Sequence, residues 1–189
     1  MRPAFTDTVF GAQQSFRALM EAIARPGRLQ DCDVLPDIPE GLEPAAAAAL
    51  LTLADAETPV WTDAQGDARE WIAFHTGAPL VDDPARAQFL LATAAMPALA
   101  TLDRGTDETP QDSATLILQV GALATDSGWL LTGPGIETVH HLHVTGAPAD
   151  FVAQWSANHA GFPRGVDLFL CAGARLAALP RTTRIEEAG

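Results

Sequence analysis

The sequence predicts a mixed α/β fold, one sheet with flanking helices, and three observations predict it. Residues 114–120 (Ala114, Thr115, Leu116, Ile117, Leu118, Gln119, Val120) form a continuous β-rich apolar run, as in a strand buried on both faces. Val9, Phe16, Leu19, Met20 and Ile23 recur at helical spacing and leave Gln14, Arg17 and Glu21 outside. Residues 166–171 and 175–179 read as a closing hairpin over Ala172, Gly173 and Ala174. With 189 residues, 48% of them hydrophobic, the chain suits a single domain over 1–189. That length can bury a core without metal or disulfide staples.

The elements follow in order. Thr6 and Asp7 start the first helix, with Val9, Phe16, Leu19, Met20 and Ile23 as its core face. Arg25, Pro26 and Gly27 stop it, because proline and glycine both break helices. Residues 28–34 read as a strand. Pro44 occupies a first-turn position, and residues 45–54, which begin with five alanines, are helical by propensity. Residues 58–62 make a short strand, and residues 68–75 a helix closed by Gly77 and Pro79. Residues 88–92 are strand, followed by a short helix near Pro97. After the apolar run, residues 129–132 and 138–144 are strands around the Gly133, Pro134, Gly135 turn. Phe151, Val152, Trp155 and His159 mark one face of a helix ended by Gly161 and Pro163.

Charge and absent residue types exclude several chemistries. All eleven basic residues are arginine, and the chain has neither lysine nor tyrosine. Schiff-base catalysis and a P-loop lysine are therefore excluded on this chain. The net charge of −13 is concentrated in residues 31–150, which carry −16, whereas the two ends carry +2 and +1. An acidic middle argues against nucleic acid or an anionic membrane surface as a partner. No apolar run approaches a membrane span, and the N-terminus does not lead into the apolar stretch of a signal peptide, so a cytoplasmic location is expected. Cys32 and Cys171 are single and widely separated, as buried thiols in a reducing compartment would be.

Candidate chemistry is sparse. None of the four serines lies in a nucleophile elbow, so no catalytic residue is assigned. On a strand His141 and His143 would share a face beside His140, but no third ligand is indicated, and no metal or cofactor is expected. His75 reads as a terminal helix histidine. The turn carrying Gly133 and Gly135 could bring backbone N–H groups to an anion, although Pro134 lacks one. Arg181, Thr182, Thr183 and Arg184 suit phosphate or phosphonate oxygens, and equally a subunit interface or a solvated tail strand. Arg164 and Asp167 lie in one rigid turn and can pair with each other.

Seven blocks together resemble one family. They are residues 15–20 with Arg25, Pro26 and Gly27; residues 50–55 with 58–61; residues 74–79; residues 114–120; residues 133–136; residues 162–167; and residues 180–183. In this order, over nearly the whole chain, they resemble the H subunit of the bacterial carbon–phosphorus lyase system (PhnH). The resemblance implies a role in phosphonate catabolism, in a core complex with subunits G, I and J. With a further subunit, L, that machinery forms α-D-ribose 1-alkylphosphonate 5-triphosphate from ATP and an alkylphosphonate, and the radical J subunit then breaks the C–P bond. It further implies a non-catalytic subunit able to form a homodimer, with a fold like a truncated pyridoxal-phosphate-dependent transferase. The missing lysine independently removes pyridoxal phosphate chemistry from such a fold. The alternative is a stand-alone phosphate- or nucleotide-binding homodimeric module. Exposed apolar surface for contacts is expected on strand edges, the ready pairing sites of a sheet.

Overall fold

A computed structural model describes residues 4, 5 and 7–187; Thr6, half of the expected helix start, lies outside the described residues. The first helix, α1 (Thr8–Ala24), is capped by Asp7, whose carboxylate accepts the N–H groups of Val9 and Phe10 at 3.0 Å each. A two-residue strand, β1 (Gln30–Asp31), is all that forms of the expected strand over 28–34. Helix α2 (Pro44–Leu53) begins on its proline, and β2 (Val60–Thr62) follows. Helix α3 (Gly66–Thr76) ends on Gly77 in the left-handed conformation, φ +66°.

Strands β3 (Phe89–Ala92) and β4 (Thr115–Gln119) are separated by two single 3-10 turns, Leu99–Thr101 and Pro110–Asp112. A long strand, β5 (Ala122–Thr132), pairs with β6 (His140–Thr145). Helix α4 (Phe151–Ala160) leads to the hairpin β7 (Asp167–Ala172) and β8 (Arg175–Leu179), and the description closes with β9 (Arg184–Glu186).

The strands make two sheets. The larger runs β1-β8-β7-β4-β3-β2, with β7, β4, β3 and β2 parallel and β8 and β1 added antiparallel at one edge. The smaller is antiparallel, in the order β6-β5-β9. Side chains alternate across a strand, so the large sheet feeds two cores. Leu91, Ile117, Phe169 and Cys171 pack with α1, α2 and α3. Leu90, Leu116, Leu118, Leu168 and Leu170 pack on the other side with Leu131, Leu142 and the α4 residues Phe151 and Trp155. The mixed α/β expectation holds at this level, with a second sheet that the sequence did not announce.

Helix α1 turns only part of its predicted face inward: Leu19 is buried and Ile23 packs against the core. Ser15, Ala18, Leu19 and Ala22 are buried, whereas Val9, Phe16 and Met20 are exposed. The buried set is small, and it meets an equally small surface, since Ala45 to Ala49 of α2 are all buried. Small residues let the two helices and the sheet approach closely, and bulky side chains at those positions would hold them apart.

Candidate functional site

Parallel α/β sheets commonly bind ligands at the carboxyl ends of their strands. Here the chain's own polar groups occupy that edge. Asp63, just past β2, accepts the consecutive N–H groups of Thr93, Ala94 and Ala95 at 2.7, 3.0 and 3.0 Å, and the Thr93 hydroxyl at 2.8 Å. Burial pushes the Asp63 carboxyl up, but these donors outweigh it and the net shift is downward. At the end of β4, the Gln119 side chain accepts the Glu43 N–H at 2.9 Å and donates to the Gly41 carbonyl at 3.0 Å. The Glu43 carboxylate accepts the Gly173 N–H at 2.9 Å, and burial pushes its carboxyl up against that contact.

The structure does bring together the glycine turn and the arginine-rich tail. Gly133 has φ +134°, and a Cβ there would stand 2.9 Å from the Thr182 carbonyl oxygen. Gly135, at φ +82°, lies against the end of α1, where a Cβ would be 2.2 Å from the Ala24 carbonyl oxygen. The turn is thus wedged between α1 and residues 182–183, and its glycines serve close backbone approach. Gly135→Ala combines that clash with a backbone disfavoured for an L side chain, and is expected to cost at least about 2 kcal/mol in urea unfolding.

Beside this wedge a cleft of about 460 Å³ is lined by Thr132, Gly133, Pro134, His159, Phe162, Thr182 and Arg184. His159, in the last turn of α4, places Nδ1 2.9 Å from the Arg181 carbonyl, and its Nε2 lies 3.2 Å from the Arg184 Nε. Both contacts are satisfied when neutral His159 donates from Nδ1 and accepts the Arg184 N–H at Nε2.

The other candidate residues are placed as follows. Arg181 donates to Asp167 from its backbone N–H, Nε and Nη2, at 2.7, 3.1 and 2.5 Å, and to the Pro110 and Pro163 carbonyls from Nη1. This pair is largely shielded from solvent, at 13% and 24% side-chain exposure, and it fastens the end of the β7–β8 hairpin. The expected Arg164–Asp167 pair does not form. Arg164 instead reaches Asp107 at 3.2 Å on the exposed surface, because Asp167 is already committed to Arg181. Thr183 is fully buried, and its carbonyl accepts the Trp155 indole N–H at 2.8 Å. Sequence reasoning read His159 only as a helix-face residue and Phe162 only as part of a turn. The register of the β7–β8 hairpin, which sets Leu168 opposite Leu179, was the available signal for Asp167 and Arg181.

His140 Nδ1 lies 2.7 Å from the Pro26 carbonyl and ties β6 to the end of α1. His141 and His143 are exposed on one face of β6, and the described residues contain no group of three side chains that could hold a metal. His75 packs against Trp71 with ring centres 4.5 Å apart and planes tilted by 52°, and burial pushes its pKa down. Both cysteines are buried free thiols, and burial raises each pKa. No helix among the described residues is long and apolar enough to cross a membrane. The expectation of apolar contact surface on strand edges is overturned. The large exposed apolar side chains lie on α1 (Val9, Phe10, Phe16, Met20), on α3 (Phe74), and in the loops at Val139 and Phe162. The physical reason is visible in the sheet, whose apolar strand residues are taken up by the two cores.

Comparison with known proteins fits the order of blocks seen in the sequence. Residues 3–186 match the family described as bacterial phosphonate metabolism protein (PhnH). The chain is 42% identical to the "Alpha-D-ribose 1-methylphosphonate 5-triphosphate synthase subunit PhnH" of Rhizobium meliloti (strain 1021). That match covers 97% of this chain and 94% of the relative. It is 35% identical to the "Putative C-P lyase subunit protein HtxG" of Stutzerimonas stutzeri, over 94% of this chain and 87% of that one. A match spanning both cores, the wedge and the tail makes this chain a member of the bacterial PhnH family of phosphonate metabolism.

Proposed function

We infer that this chain acts, as one domain, as a non-catalytic subunit of a carbon–phosphorus lyase core complex. In that complex it would stand with subunits G, I and J and support formation of ribose 1-alkylphosphonate 5-triphosphate from ATP and an alkylphosphonate. Membership of a family whose relatives are named as subunits of such machinery supports the reading. So does the missing lysine: a pyridoxal-transferase-like ancestry is compatible with this fold class, but the aldimine chemistry is not. A cytoplasmic location, and a homodimer when the chain is isolated, belong to the same reading.

The observation that carries it is the outer face of α1. Val9, Phe10, Phe16 and Met20 are 61%, 72%, 52% and 54% exposed on a single helix. Leaving that much apolar surface in water is unfavourable by roughly 25 cal/mol per Å², and contiguous patches of this kind mark protein–protein contacts. Co-expression with the G, I and J subunits from the same genome, followed by affinity capture and light scattering, tests it. The wild-type chain should travel in one peak with all three. The double variant Phe16→Asp, Met20→Asp should keep its melting temperature within a few degrees, because exposed sites tolerate substitution, yet lose association at least tenfold. A wild-type chain that stays apart from G, I and J would overturn the subunit reading. Full assembly of the double variant would overturn the α1 face.

A further inference from the structure

The cleft between the glycine turn, the end of α4 and β9 is open to solvent and combines an apolar lining with one arginine. In a chain with twenty-four acidic residues, none of the seven that line it is a carboxylate, and Arg184 supplies the one full charge. Arg184 is exposed, and its Nε is held by His159. That hydrogen bond orients the planar guanidinium while both terminal nitrogens remain without partners among the described residues. Such a fork suits the paired oxygens of a tetrahedral oxyanion. Thr182, whose hydroxyl has no partner among the described residues, lines the same cleft and can add a donor. Apolar groups complete the lining: Phe162 stands 60% exposed, and Pro134 lines the cleft with it. An aromatic ring left this open offers a flat surface on which a planar group can stack. The volume, about 460 Å³, falls within the range of small-molecule sites.

We propose that this cleft binds a phosphate monoester carrying a planar ring, with Arg184 and Thr182 on the phosphate and Phe162 against the ring. None of the residues that line the cleft belongs to α1, and the site does not depend on the assembly reading. His159 acts as a positioning residue: it lines the cleft and holds the Arg184 guanidinium through Nε.

Titration calorimetry on the full chain with adenosine monophosphate, adenosine, ribose 5-phosphate and inorganic phosphate tests the site. The monophosphate should bind most tightly. Adenosine and ribose 5-phosphate, each lacking one half of the recognition, should bind at least tenfold more weakly. Arg184→Gln should weaken the monophosphate and ribose 5-phosphate at least tenfold and leave adenosine unchanged. Phe162→Ala should weaken the monophosphate and adenosine by a similar factor and leave ribose 5-phosphate unchanged. Both side chains project from the surface, so both variants should melt with the wild type. No heat with the monophosphate, or an affinity within twofold of wild type in Arg184→Gln, would overturn the site. Because assembly with G, I and J is read separately, a failed cleft leaves the subunit reading standing, and the reverse holds too.

Discussion

Trp155→Ala is expected to lower the unfolding free energy by about 3–5 kcal/mol, the range for removing a large buried aromatic. At this chain length that corresponds to a fall in melting temperature of roughly 10 °C. Trp155 is fully buried in the core between the large sheet, the small sheet and α4. It continues a stack in which Trp129 and Phe151 lie 4.7 Å apart, with Phe151 and Trp155 at 6.0 Å. Its indole N–H also holds the Thr183 carbonyl, and so fixes the segment that precedes β9. Trp155→Phe keeps most of the apolar volume and leaves that carbonyl without its donor, so it should cost less, about 1–2 kcal/mol. Urea unfolding followed by circular dichroism would rank the two. If Trp155→Ala were no worse than Trp155→Phe, the lost hydrogen bond would outweigh the cavity.

Asp63→Asn is the second large effect, and its signature is in pH. The carboxylate gathers three consecutive backbone N–H groups and a hydroxyl, and its pKa is depressed in the folded chain. A depressed folded pKa means that the stabilisation is complete above the unfolded value, about 3.9, and is lost as pH falls through the folded value. Discounted for a half-exposed site, the increment should be about 2 kcal/mol at pH 7. Wild type and Asp63→Asn should therefore keep their full difference from neutrality down to about pH 4 and approach each other as pH falls further toward the folded value. A difference that stayed constant from pH 7 to 3 would mean that the negative charge on Asp63 contributes nothing.

Much of the fold was legible where apolar pattern and burial agree. The run at β4, the hairpin of β7 and β8, and the breakers around α3 and α4 all declare themselves in residue types. Other elements are made by partners. Residues Thr125, Asp126 and Ser127 in the middle of β5 are polar and exposed, and the strand carries them through an irregular register with β6 between Ala124 and Trp129. Strand β9 is three residues long and exists through its pairing with Leu130, Leu131 and Thr132. Helix α1 was found, and Leu19 and Ile23 face inward as read, but Val9, Phe16 and Met20 do not, because periodicity registers size and hydrophobicity rather than closeness of approach. Both halves of the candidate cleft were visible as motifs. Their meeting was not, since Phe162 and His159 arrive from a helix end that no local signal ties to the tail.

The strand order carries a consequence for how the chain acquires its structure. Strand β4 needs β7 on one side, and β1 pairs Gln30 with Leu176, about three quarters of the chain apart. Long-range pairings must be closed before they are rewarded, which slows folding. During synthesis the β4 segment, with Leu116, Ile117 and Leu118, therefore waits beside an empty edge until the last quarter of the chain has emerged. A ribosome-bound chain truncated before residue 167 cannot complete its central sheet. Such nascent chains present an apolar edge that invites intermolecular pairing. Yield in the cell should therefore respond to chaperone supply and to translation rate, even where the finished protein is unchanged.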